Sequence, residues 1–222
     1  MRIYTIGHST RTLEELVDAL RSFGVRTLAD IRTVPRSRRV PQFNRESLAR
    51  TLPERGIRYH HVPALGGLRR PRSDSTNTAW RNANFRGFAD YMQTAEFAGA
   101  VESLRRLARD EGPVAIMCAE AVPWRCHRSL VADALLARGD AVTDIMGPES
   151  GRERALTPWA AVEGRTVTYP GPPPESGQAA ARPRRRTRTA DAASAARGPR
   201  PKTSRKERGA CPETPHGRRS TR

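Results

Sequence analysis

Two periods of apolar residues alternate along the chain. Short apolar runs bounded by turn residues occupy positions 3–6, 25–31, 57–62, 114–118 and 141–146, and each predicts a strand. Between them, apolar residues recur every three or four positions. Leu13, Leu16, Val17, Leu20 and Phe23 share one helical face, opened by Thr12 with Glu15 three residues on and closed by Gly24. Asn44 ahead of Leu48 and Leu52 predicts a capped helix ending at Gly56. Residues 85–110 predict one or two helices with Phe88, Tyr91, Met92, Val101, Leu104 and Leu107 inward. Leu130, Val131, Ala134 and Leu135 predict a helix ended by Gly139. Residues 156–162 fit neither period, and 166–169 read as a last short strand before Pro170 and the Pro172–Pro174 run.

Strands alternating with helices predict an α/β three-layer sandwich, its mostly parallel five-stranded sheet covered on both faces. Right-handed crossovers then put every strand-to-helix loop at one edge, the carboxyl edge, where ligands bind in open α/β sheets. Residues 68–84 form a long irregular connection, the kind that is functional or mobile.

Chemistry concentrates in the loops assigned to that edge. The first carries His8 and Ser9, the second Asp30, Arg32 and Arg36, the third Gly66 and Gly67. The fourth, after the central strand, carries Cys118, Glu120, Arg125, Cys126, His127 and Arg128 within eleven residues. Cys126 falls at the expected start of a helix between two arginines, a setting that favours thiolate, so it is the candidate nucleophile; the bland reading is a buried, inert thiol. Cys118, at the strand end, is expected to be packed. His8 is an acid–base candidate, or a histidine tied to a neighbouring loop. Glu120 either orients His8 or His127 or pairs with Arg125, and Asp30 holds Arg32. Of His60 and His61, on alternate sides of the third strand, one is expected to face the core. Cys118, Cys126, His127 and His8 have the right softness for a metal, but a cysteine spacing of eight is not that of a zinc knuckle. Thiol phosphatases and sulfurtransferases share the strand, cysteine loop and helix, yet here the loop holds Glu120 and Pro123 and no glycine, a poor phosphate cradle.

Composition separates the end of the chain from the rest. Residues 175–222 hold 14 Lys+Arg against 4 Asp+Glu, a net +10 of the chain's +17, and lack Leu, Ile, Val, Phe, Tyr and Trp. Such a stretch cannot bury enough apolar surface to offset its ordering entropy. The expected organisation is therefore an α/β domain over 1–170 and a disordered Arg/Pro/Ala-rich tail over 171–222. Positive charge there and on the loops carrying Arg36, Arg38, Arg39, Arg69, Arg70 and Arg72 favours phosphates, as a small anion or as nucleic acid; a solvated, solubilising surface is the alternative. Phe43, Trp80 and Phe85 lie near these loops, either to stack a base or as core. Three cysteines make no disulfide framework, the chain opens straight into a strand, and no apolar run approaches ~20 residues, so a reducing cytoplasm and no membrane are expected.

Six blocks, taken in order, add to this picture. Tyr4–Ser9 (YTIGHS), Asp30-Ile31-Arg32, Leu65-Gly66-Gly67, Phe88–Met92 (FADYM), Cys118-Ala119-Glu120 with Cys126-His127-Arg128, and Leu156–Ala160 (LTPWA) resemble the signature blocks of the family known as domain of unknown function number 488, over about residues 1–170. The resemblance implies a Rossmann-like α/β domain and no established reaction or cofactor. The residues themselves favour an enzyme for a phosphate-bearing or otherwise anionic ligand, a nucleotide or nucleic-acid end. His8, Glu120 and Cys126 would carry the chemistry, with Ser9, Asp30, Arg32, Arg36, Gly66, Gly67, Arg125, His127 and Arg128 binding the ligand. The rivals are a non-catalytic nucleic-acid-binding or sensing module and a zinc-binding domain. Neither cofactor nor oligomeric state can be read from the residues.

Overall fold

The structure, a computed structural model, describes residues 1–172. The basic stretch from 173 onward, and with it nearly all of the expected tail, lies outside them.

Strands β1 (Arg2–Gly7), β2 (Thr27–Asp30), β3 (Arg58–His61), β4 (Val114–Cys118), β5 (Ala141–Gly147) and β6 (Ser150–Glu153) form one sheet in the order β3-β2-β4-β1-β5-β6. The first five are mutually parallel and β6 is antiparallel to β5. The sheet therefore has six strands rather than five. The added strand, Ser-Gly-Arg-Glu, is exposed at all four positions, so no apolar alternation marks it. It forms because the turn at Pro148-Glu149 folds the chain back onto an otherwise open edge.

Helices α1 (Leu13–Ser22) and α2 (Arg45–Thr51) cover one face with a core of Ile6, Leu16, Leu20, Leu28, Leu48 and Met117. Helices α3 (Ala83–Tyr91), α4 (Ala95–Asp110) and α5 (Arg128–Leu136) cover the other, with Ile3, Phe88, Phe97, Leu104, Ile116 and Leu130. Strand β4 serves both: Val114, Ile116 and Cys118 belong to the second core, Ala115 and Met117 to the first, the two-residue period of a strand buried on both sides. Cys118 is thereby directed toward the α3–α5 layer.

Thr12 and Glu15 form the capping box of α1. Asn44 does not cap α2 with its side chain; Oδ1 instead accepts the Ser37 N–H at 2.6 Å and holds the preceding basic loop. The 68–84 connection is pinned rather than loose. Buried Asp90 accepts from Arg72 N–H, the Ser75 hydroxyl and Asn77 Nδ2, and Asn77 Oδ1 accepts the Tyr169 N–H. The unassigned stretch after β6 is anchored by Asp133 of α5, which takes the Thr157 N–H and hydroxyl and the Tyr169 hydroxyl. It leads into a two-stranded ribbon, β7 (Ala161–Glu163) with β8 (Thr166–Thr168). Among the described residues no helix is long and apolar enough to cross a membrane.

Candidate functional site

From β3 the chain returns to insert β4 between β2 and β1, so the carboxyl ends of β2, β4 and β1 adjoin where the direction of strand addition reverses. Open α/β sheets place ligand crevices at such a point. A cavity of about 410 Å³ lies there, lined by Arg32, Gly67, Cys118, Glu120, Arg125, Cys126 and His127 among others. A second cavity of about 410 Å³ between α4 and the start of β8 holds Glu102, Arg138 and Arg165 but no thiol or imidazole.

The Cys118–Cys126 loop is clamped from two sides. Beyond the end of β1, His8 N–H and Ser9 N–H donate to Cys118 and Ala119 carbonyls, both at 3.0 Å. From the other side Arg128, only 1% exposed, turns back into the loop it follows. Its Nη1 donates to Cys118 Sγ at 2.8 Å and to the Glu120 carbonyl at 2.5 Å, and Nη2 donates to the Ala121 carbonyl at 2.9 Å. This approach needs Gly7, where a Cβ would collide with the Glu120 carbonyl and lie 2.7 Å from Arg128 Nη1.

Guanidinium stays charged in a protein, and a buried charge calls for a counter-charge. Every partner of Arg128 is a carbonyl or the Cys118 sulfur, and Nε has none. Cys118 is the one of these that can ionise. Burial pushes its thiol up, but the Cys126 hydrogen bond, the Arg128 charge and the Glu120 N–H outweigh that and bring it down to about 7. Cys126 moves the opposite way, well above the ordinary thiol range, because it bonds to Cys118 and is itself buried. Its sulfur receives only the Arg128 backbone N–H, at 3.5 Å. The arginine contact expected to favour Cys126 therefore falls on Cys118 instead. The guanidinium lies ten positions from Cys118 in sequence, and only the fold of the loop brings them together.

Arg32 anchors the neighbouring wall. Its Nε and Nη2 grip Asp30 at 2.8 and 2.6 Å, and Nη2 also donates to the Phe43 carbonyl at 2.7 Å. Nη1 donates to His8 Nε2 at 3.1 Å. Because arginine only donates, His8 Nε2 accepts, and its proton sits on Nδ1, 3.0 Å from the Ser9 carbonyl. Burial and the Arg32 charge lower His8 to about 4 against the opposing Ser9 hydrogen bond, so the ring is neutral and stacks on Phe43. Tyr59 hydroxyl donates to Asp30 as well, at 2.8 Å. Four of the five Arg32 N–H groups are engaged within the protein, leaving one on the guanidinium that lines the cavity.

His127 is neutral too, lowered to about 4 chiefly by burial. Its Nε2 donates to the Ile31 carbonyl at 3.3 Å, leaving Nδ1 as an acceptor 3.6 Å from Cys126 Sγ. Gly67 gives the imidazole room, since a Cβ there would lie 3.0 Å from Nδ1.

The family model described as Domain of unknown function DUF488 matches residues 12–135, more than half of the chain. The chain belongs to this DUF488 family. The match takes in Asp30–Arg32, Leu65–Gly67, Phe88–Met92 and the whole Cys118–Arg128 loop, whereas the blocks at 4–9 and 156–160 fall outside it. No curated protein and no solved structure matches the chain.

Within the DUF488 domain, the residues singled out from sequence divide into two sets. Arg32, Gly67, Glu120, Arg125, Cys126 and His127 share the cavity, and Cys118 joins them. His8, Ser9, Asp30, Arg36, Gly66 and Arg128 stand outside its lining. Of these, His8 and Asp30 hold Arg32, and Arg128 holds Cys118. Ser9 adopts a left-handed backbone, φ 47°, at the end of β1. Gly66 closes the turn after β3 in a space where a Cβ would be 2.8 Å from the Pro63 carbonyl. Arg36 is exposed on its loop. The Glu120 carboxylate is exposed, and the backbone of Glu120, not its side chain, makes the bonds to Arg128 and Cys118. Neither of the paired histidines of β3 is buried: His60 meets Glu111 at 3.1 Å and His61 the Arg32 carbonyl at 2.9 Å. Among the described residues no three His, Cys, Asp or Glu side chains converge in a metal-holding arrangement, and His8 is turned to Arg32 instead of toward the cysteines. Phe43 is core, whereas Phe85 forms part of the cavity wall.

Proposed function

We propose that this DUF488 chain is an enzyme using a cysteine thiolate on an organic anion bound over the carboxyl ends of β2 and β4. One observation carries the reading: buried Arg128, with no carboxylate partner, donates to Cys118 Sγ at 2.8 Å at the wall of a ligand-sized cavity. Cys118 is the nucleophile in this reading and Cys126 the second thiol. Thiolate, not thiol, is the reactive form, and a thiol brought to about 7 is half ionised at neutral pH. The free N–H of Arg32 and the exposed Arg125 guanidinium supply the attraction for an anion. His8 and Asp30 act as positioning residues that hold Arg32.

Alkylation rates followed across pH test this. Iodoacetamide is expected to modify Cys118 first, with a midpoint near pH 7, and Cys118→Ala is expected to lose that fast phase. Anionic iodoacetate, compared with iodoacetamide and normalised to a free thiol, is expected to gain about tenfold from the two arginines. A midpoint in the ordinary range of about 8.5 would overturn the assignment. So would first modification at Cys126.

A further inference from the structure

The thiolate reading leaves the second cysteine without a task. Cys126 is 6% exposed and shares the cavity wall with Cys118. Both are free thiols. They lie at the two ends of one loop, tied to the same residue: Arg128 Nη1 meets Cys118 Sγ and Arg128 N–H meets Cys126 Sγ. An attacking thiolate with a second thiol beside it is what thiol–disulfide exchange requires: one sulfur enters the substrate and the other displaces it. A hydrolytic thiolate needs instead a bound water with a base to activate it. Both nitrogens of His8 are occupied, and the acceptor nitrogen of His127 faces Cys126.

The remaining wall describes the other half of the ligand. Arg32 and Arg125 offer guanidinium N–H groups to carboxylates, and Asn82 and Asn84 add amide side chains. Leu68 and Val34, at 74% and 64% the most exposed large apolar side chains of the described residues, also border the cavity. Leu68 has a left-handed backbone, φ 60°, unfavourable for a leucine. A bare inorganic ion has no use for that apolar rim, whereas an organic skeleton has.

Resting on the thiolate reading above, we propose that the ligand is a small organic disulfide bearing carboxylates, reduced by the Cys118–Cys126 pair. Cys118 thiolate attacks one sulfur of R–S–S–R, forming Cys118–S–S–R and expelling RS⁻. Cys126 then attacks the Cys118 sulfur, its proton passing to the expelled RS⁻, so that the second RS⁻ leaves as the Cys118–Cys126 disulfide forms. Two electrons move from the protein thiols to the substrate, giving RSH and RS⁻. A dithiol reductant reopens the protein disulfide by the reverse exchange.

The full-length protein is treated at pH 7 with oxidised glutathione, which carries carboxylates, or with cationic cystamine, each rate normalised to that with 2-mercaptoethanol. Thiols are trapped at intervals and peptides mapped, which separates the pair from Cys211. The expected result is a Cys118–Cys126 disulfide with two glutathione thiols released per chain, about tenfold or more ahead of cystamine. Cys126→Ser is expected to stop at glutathione bound to Cys118. If cystamine reacts as fast, recognition of carboxylates is wrong. Should neither the pair nor an adduct form, while iodoacetamide still modifies Cys118 with a midpoint near pH 7, the disulfide ligand is wrong and the thiolate reading stands. Loss of both responses removes the two together. Where Cys126→Ser does not fold, the wild-type rates with the two disulfides decide alone.

Discussion

Two buried arginines stand at this sheet edge, Arg32 in the loop after β2 and Arg128 at the start of α5, and they are opposites. Arg32 is neutralised: Asp30 takes two of its N–H groups, a neutral histidine and a carbonyl take two more, and Tyr59 completes the carboxylate. Arg128 is buried more deeply, yet its partners are two carbonyls and a sulfur. A charge matched by a carboxylate is a scaffold, while one matched only by dipoles polarises whatever beside it can ionise. That contrast is why we propose Cys118 as the reactive thiol and give the holding role to the Asp30–Arg32–His8 group.

The largest effect expected on stability comes from breaking the neutralised arginine. Asp30→Asn leaves Arg32 buried without a counter-charge and should cost about 3–5 kcal/mol, measured by urea denaturation at pH 7.5. The Cys118 alkylation midpoint should stay in place if the protein is assayed below its melting range. A shifted midpoint would mean that the two arginines form one electrostatic unit.

Acid acts on both regions at once. His8 beside Arg32 and His127 beside the cysteines are each lowered to about 4, below the ordinary 6.5 of an unfolded chain. A group lowered by folding leaves stability whole above the unfolded value and removes it as pH falls toward the folded one. Between pH 7.5 and pH 5 each imidazole should therefore remove about 1–2 kcal/mol. His8→Gln and His127→Gln should each flatten about half of that slope. Equal slopes in wild type and both variants would show that the rings are not held neutral.

Removing the unneutralised arginine should be felt more in reactivity than in stability. Arg128→Met deletes the charge while the Cys126 and Glu120 contributions stay, so the Cys118 thiol should rise from its lowered value and alkylation at pH 7 should fall about tenfold. The stability cost should be smaller than that of Asp30→Asn, about 2 kcal/mol for the two carbonyls left without a donor, because an uncompensated charge leaves with the side chain. A variant that alkylates like wild type would erase the contrast between the two arginines.

Much of this edge could be read from residue order, but not the division of labour within it. The Thr12–Glu15 cap, the apolar run of β4 and the density of reactive groups in 118–128 are local signals, so they survive without coordinates. The antiparallel strand Ser150–Glu153 carries no such signal, because its four exposed residues join the sheet only through backbone pairing. Asn44 looked like a helix cap, but its amide had a loop to hold. The surroundings of the two cysteines differ from their order in the chain for a related reason. Arg125 and Arg128 flank Cys126 in the chain, yet the Arg128 side chain reaches back across the loop, and Arg125 stays exposed.

Residue types and their spacing alone determined that this is a parallel α/β chain with its thiols, imidazoles and arginines gathered after a few strands, since strand and helix periods and the right-handed crossover follow from local sterics. Which thiol meets a charge, which histidine is spent on an arginine and which arginine keeps an N–H unengaged at the cavity were decided only by tertiary structure. Those outcomes depend on distances of about three ångströms between side chains far apart in the chain, and at that range burial and hydrogen bonding outweigh every preference a residue carries by itself.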